Sequence, residues 1–156
     1  MPATTVLERC IITNDPAATR GLAARLAVVA RPGDVISLVG DLGTGKTVFA
    51  KGFGFGLGVV GTINSPSFIL MAEYAGRLPF FHLDLYRLVD AAEALAGGLL
   101  DERQGEGVTL IEWAERLRGV LPGARLEVII EGTGDAPRTI TLRATDARYR
   151  CYLEAA

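Results

Sequence analysis

Residues Gly40 to Thr47 read Gly-Asp-Leu-Gly-Thr-Gly-Lys-Thr, matching G-x-x-x-x-G-K-[ST] at every fixed position. That spacing suits one chemistry, the gripping of a polyphosphate. Glycines at Gly40, Gly43 and Gly45 let backbone N–H groups turn inward where a Cβ would block the approach. Lys46 brings a point charge to the outer phosphates, and the Thr47 hydroxyl suits Mg²⁺. A helix beginning there would aim the positive end of its dipole at the same anion.

Such a loop has to sit between a strand and a helix. Val35-Ile36-Ser37-Leu38-Val39 is a short apolar run that reads as a buried strand, and Val48-Phe49-Ala50-Lys51 can start a helix. Residue usage agrees. Of sixteen basic residues only Lys46 and Lys51 are lysines, so a chain that otherwise uses arginine places the compact ammonium at the loop.

The loop also needs an acid near the metal, at the carboxyl end of a neighbouring strand. Val108-Thr109-Leu110-Ile111-Glu112 is one such strand, ending in Glu112 and followed by Trp113. In Phe80 to Arg87, period-two alternation puts Phe81, Leu83 and Leu85 on one face and His82, Asp84 and Tyr86 on the other. For Asp84 the competing reading is an exposed strand edge, and for Glu112 a helix-start acid. His82 reads as a structural or hydrogen-bonding residue. Trp113 is either core, partner surface or a stacking platform. Ser65-Pro66-Ser67 forms a turn leading into a strand or brings a hydroxyl toward the γ-phosphate.

Around these residues the pattern alternates strands and helices, which predicts one α/β domain over 1–156. Arg9 to Thr13 is a strand. Asn14 or Asp15 caps a helix with Pro16 in its first turn, and Arg31-Pro32-Gly33 stops it. Glycines alternate through Gly52-Phe53-Gly54-Phe55-Gly56-Leu57-Gly58, each weakening a helix by roughly 1 kcal/mol. The helix after the loop is therefore expected to be short, or held by packing of Phe53 and Leu57. Gly56 to Gly61 also fits G-x-G-x-x-G but follows no strand, so it is set aside. Phe68–Tyr74 and Leu78–Leu85 form an antiparallel hairpin about Ala75-Gly76-Arg77. A short helix over Asp90–Leu95 and two late strands, Leu126–Glu131 and Arg138–Arg143, complete the reading.

A net charge of −2 argues against independent nucleic-acid binding. Cys10 and Cys151 lie far apart, and the single histidine excludes a His-rich metal site. No signal segment or membrane-length apolar run is visible, so a cytoplasmic protein is expected.

The loop, with Asn64-Ser65-Pro66-Ser67-Phe68, His82-Leu83-Asp84-Leu85-Tyr86-Arg87-Leu88 and Ile111-Glu112-Trp113, resembles the TsaE (YjeE) family. These are bacterial ATPases of tRNA threonylcarbamoyladenosine biosynthesis. The resemblance runs in order along nearly the whole chain. It implies a P-loop NTPase fold with a mixed central sheet flanked by helices, binding ATP or ADP with Mg²⁺ and hydrolysing ATP slowly alone. It further implies action on a TsaB–TsaD heterodimer that modifies tRNAs reading ANN codons, with tRNA reached only through that complex. Carried over by position, Asp41, Leu42, Gly43, Thr44, Gly45, Lys46, Thr47, Val48 and Arg138 hold the nucleotide. Thr47 and Glu112 hold the metal, while Lys46, Asp84 and Glu112 serve catalysis. Ser65 to Ser67 match a switch-like segment. The chain departs from the family pattern in Ser67 for a usual Thr, Thr44 for a usual Ala, and Val48 where Thr is frequent.

Three other readings compete. A small-metabolite kinase could use the same loop, although no lid insertion rich in arginine is evident. A GTPase would want an Asn/Thr-Lys-x-Asp motif, which neither lysine can form. A nucleotide-responsive interaction module would bind without useful turnover.

Overall fold

The computed structural model describes residues 7–41, 43–66, 70–88, 90, 102–117 and 121–156. Strand β1 (Leu7–Thr13) leads to helix α1 (Pro16–Val28), and β2 (Val35–Val39) leads through the glycine loop to α2 (Lys46–Gly56). Strands β3 (Met71–Tyr74), β4 (Phe80–Asp84), β5 (Val108–Glu112), β6 (Leu126–Glu131) and β7 (Arg138–Ala144) follow, and α3 (Arg150–Ala155) ends the chain. The seven strands form one sheet in the order β1-β7-β6-β2-β5-β4-β3.

The four central strands, β6, β2, β5 and β4, are parallel, and each edge is antiparallel. Parallel strands are buried on both faces, which is why β4 and β5 contain no exposed residue. The expected hairpin is present as β3 and β4, with Tyr74 opposite Phe80. Positions 68 and 69 of its first strand, and 91–95 of the expected short helix, lie outside the described residues.

Helices α1, α2 and α3 cover one face, where Leu22, Leu26, Phe49, Phe53, Tyr149 and Tyr152 pack on Ile36, Leu38, Leu110 and Val128. A smaller cluster of Phe81, Leu83, Leu85, Ile111, Ala114 and Leu117 lines the other face. The alternation read in β4 holds: Phe81 and Leu83 join the smaller cluster, while His82 and Asp84 lie on the opposite face and are buried, which rules out the exposed-edge reading of Asp84. Asp15 caps α1 by accepting from the Ala18 N–H at 2.7 Å, with Pro16 in the first turn as anticipated. Among the described residues no helix is long and apolar enough to cross a membrane.

The glycines of α2 have a cause that lies outside α2. A Cβ on Gly52 would sit 2.4 Å from the Arg20 carbonyl oxygen, and one on Gly56 would sit 2.5 Å from that of Ala24. Small residues four apart let the two helix backbones touch, and Phe53 and Leu57 are buried in the core beside them. Tertiary packing overrides weak propensity, so the helix runs 11 residues.

Gly21, on the freer side of α1, has no atom closer than 3.8 Å to an added Cβ. Gly21→Ala should therefore stabilise the protein by about 0.5–1 kcal/mol. Gly52→Ala, despite the same gain in helix propensity, should destabilise it by about 1–3 kcal/mol through overpacking. Urea denaturation of the two variants checks the contrast; equal shifts of one sign would refute it.

Candidate nucleotide site

The loop between β2 and α2 requires its glycines for two separate reasons. Gly43 and Gly45 have φ of 82° and 102°, in the left-handed region where a side chain is strained. At Gly40 the obstacle is space: a Cβ would lie 2.6 Å from the Ile130 carbonyl oxygen and 2.8 Å from Thr44 Oγ1. Thr44 closes the turn by donating its hydroxyl to the Asp41 carbonyl at 2.9 Å. From β7, Arg138 Nε donates to the Thr44 carbonyl at 2.9 Å and Nη2 to that of Gly134 at 3.0 Å. The arginine thus braces the loop from outside.

Lys46 is 5% exposed. Its ammonium donates to the carbonyls of Gly40 and Asp41, the latter at 3.0 Å, and stands 3.9 Å from the centre of the Trp113 ring. Burial lowers the lysine's pKa from its ordinary value, and the carboxylates of Glu112, Glu115, Asp84 and Asp41 partly oppose that effect. Trp113 itself has a φ of 58° and packs on Tyr86 with ring centres 5.0 Å apart. A non-glycine residue in this conformation costs on the order of 1–3 kcal/mol and needs surrounding contacts to hold it.

Strand register brings the two acids together. Glu112 lies opposite Leu38 on β2 and opposite Asp84 on β4, so all three strand ends stop at one level. Thr47 Oγ1 donates to Glu112 Oε1 at 3.1 Å, and His82 Nε2 lies 2.6 Å from Glu112 Oε2. Asp84 accepts from the Ser65 hydroxyl and, through Oδ1, from the Tyr86 N–H at 3.0 Å. Both carboxylates are nearly buried, Asp84 at 5% and Glu112 at 2% exposure.

A cavity of about 470 Å³ is lined by Lys46, Thr47, Ser65, Asp84, Glu112 and Trp113. Beside it lies a cleft of about 220 Å³ bounded by Asn14, Pro16, Thr44, Asp135 and Arg138. Gly45, Val48 and Arg138 border both. Of the positions singled out from sequence, Asp41 contributes its carbonyl to the loop, and Leu42 and Ser67 lie outside the described residues.

A family model described as "Threonylcarbamoyl adenosine biosynthesis protein TsaE" matches residues 13–140. The chain is 45% identical over 143 residues to the tRNA threonylcarbamoyladenosine biosynthesis protein TsaE of Bacillus subtilis, spanning 91% of this chain and 89% of that one. It belongs to the TsaE family. A second relative of that name, from Treponema pallidum, is 40% identical over 110 residues, 70% of this chain and 82% of its own. A crystal structure of Bacillus subtilis YdiB superposes with a TM-score of 0.80 at 38% identity, covering 97% of this chain and 95% of that one. The fold is that of a P-loop NTPase.

In this TsaE-family chain the features least visible from sequence are contacts between distant segments. The Lys46–Trp113 contact, the brace from Arg138 onto the loop carbonyls and the Ser65–Asp84 hydrogen bond each join segments far apart in the chain. For the Lys46–Trp113 contact the signal available beforehand was adjacency of Trp113 to Glu112.

A polyphosphate beside Lys46 favours the charged ammonium, so its depressed pKa must climb on binding. In alkaline solution, somewhat below the ordinary lysine value of about 10.4, binding of ADP should therefore take up protons. Calorimetry in buffers of different ionisation enthalpy measures this. Lys46→Arg should abolish the uptake, and proton release by the native chain would contradict the assignment.

Proposed function

We propose that this chain is a Mg²⁺-dependent ATPase serving threonylcarbamoyladenosine modification of tRNAs reading ANN codons, acting in the cytoplasm on a TsaB–TsaD heterodimer. The observation that carries the catalytic part is the Thr47–Glu112 hydrogen bond of 3.1 Å at the end of a glycine cradle. The tRNA part rests on kinship with proteins named for that biosynthesis.

The residues fit both groups. Gly40, Gly43 and Gly45 shape a backbone concavity that a Cβ would fill or strain, as a phosphate requires. A hydroxyl and a carboxylate are hard oxygen donors, and Mg²⁺ commonly takes only one or two protein ligands, completing its shell with phosphates and water. Thr47 and Glu112 would hold it. When bound, the ion neutralises charge that develops on the transferring phosphoryl group.

The protein's own part is positional. Lys46 leaves its carbonyl partners for the outer phosphates, and the amides of residues 43–48 orient the chain of phosphates. Asp84, now held by Ser65, accepts a hydrogen bond from the attacking water and so fixes its direction. Ser65 is then free to follow the γ-phosphate, which draws its segment over the site. Arg138 keeps the loop in shape, and the cleft past Val48 has room for a purine. A net charge of −2 suits tRNA reached through protein partners rather than directly.

Lys46→Ala should remove a charge-assisted contact, weakening ATP binding by about 1.5–3 kcal/mol and abolishing most turnover. Glu112→Gln should still bind nucleotide but not support hydrolysis or, with TsaB–TsaD, tRNA modification. Modification that persists in Glu112→Gln would refute the catalytic reading. Efficient phosphorylation of a metabolite in an acceptor screen would favour a kinase instead.

A further inference from the structure

His82 lies outside the residues assigned above, yet its ring is fully buried, with 0% exposure, on the β4 face opposite Phe81 and Leu83. It is stacked on Phe80, with ring centres 6.0 Å apart and planes 6° apart. Nε2 is 2.6 Å from Glu112 Oε2, whereas Nδ1 is buried without a hydrogen-bond partner among the described residues. An ionised carboxylate only accepts, so Nε2 carries the hydrogen and donates it.

Glu112 therefore has its two oxygens committed differently. Oε2 is fixed by a rigid, packed ring, and Oε1 is turned to Thr47. Without the ring, rotation about the last side-chain bond would exchange the two oxygens or turn both away.

We propose that His82 is a positioning residue, whose Nε2–H locks the Glu112 carboxylate so that Oε1 and the Thr47 hydroxyl present one preformed pair of oxygens to a divalent cation. This rests on the reading of Thr47 and Glu112 as metal-binding residues. It extends that reading to a residue that touches neither metal nor nucleotide. Hydrogen-bond partners of metal ligands commonly matter by about 10–100-fold in metal affinity or activity.

The test compares His82→Phe, which keeps a flat ring but removes the donor, with His82→Gln, whose amide N–H₂ can replace Nε2–H. Mn²⁺ affinity in the presence of saturating ADP is measured by electron paramagnetic resonance, alongside metal-free ADP affinity and thermal unfolding. His82→Phe should lose about 10–100-fold in Mn²⁺ affinity with metal-free ADP binding retained, and His82→Gln should recover most of it. Unchanged Mn²⁺ affinity in His82→Phe overturns the proposal. So does a His82→Gln variant that folds and binds Mn²⁺ as poorly as His82→Phe. If His82→Phe does not fold, His82→Gln against native protein decides: near-native affinity supports the donor role, and a loss as large as 10-fold overturns it. Native protein that binds ADP but no Mn²⁺ would instead remove the underlying assignment of Thr47 and Glu112.

Discussion

The site depends on one register. Leu38 faces Glu112 across β2 and β5, and Glu112 faces Asp84 across β5 and β4. Because parallel strands end together, the glycine loop, Glu112 and Asp84 all open at the same edge of the sheet. A slip of one residue would turn Glu112 to the opposite face and replace it with Ile111. The Thr47–Glu112 hydrogen bond is a direct consequence of that alignment, and so is the contact of His82 with the same carboxylate. Ligands of open α/β sheets gather at the carboxyl ends of strands for this reason.

The opposite end of β2 is organised for stability. Asp34 has no exposed surface, and accepts from the Arg31 N–H at 3.0 Å, from Arg148 Nε at 3.0 Å and from the Tyr152 hydroxyl. The Tyr149 hydroxyl accepts from the Val35 N–H at 2.9 Å. Burial pushes the Tyr149 and Tyr152 hydroxyls up in pKa, and the Asp34 charge acts in the same direction, so both stay neutral. These contacts tie α3 to the start of the strand that carries the loop. A buried carboxylate is costly unless paired and hydrogen-bonded, and here Arg31 supplies a local partner while Arg148 and Tyr152 bring theirs from the far end of the chain. The loop end of β2 retains polar groups aimed into a cavity, while the other end spends its polar groups on closure.

Much of this was legible because the signals were local. The strand, the glycine loop and the helix are contiguous, and their residue types state their conformations directly. Asp84 and Glu112 were recognisable as acids ending apolar strands, since period-two alternation is itself a local property. The burial of Asp84 and His82 was not legible, because it depends on β3 and β5 flanking their strand and on Ser65 and Glu112 reaching them from elsewhere in the chain. The glycines of α2 were read as weakness, since the backbone of α1 that makes them necessary lies 32 residues away at Arg20–Gly52. Arg138 offers the same lesson: its position was visible, but its bond to the Thr44 carbonyl, 94 residues away, depends on β7 folding back beside the loop. Strand order is likewise a non-local outcome, with β2 lying between β5 and β6, two strands that follow it by some seventy residues or more.

The central claim is that the aligned strand ends and the loop between them form a receptor for a triphosphate with its metal. Calorimetric titration of ATP into the folded native chain, with and without Mg²⁺, tests it most directly. Saturable one-site binding that tightens when the metal is added is the expected result. Absence of nucleotide uptake by well-folded protein, or uptake indifferent to Mg²⁺, would contradict it.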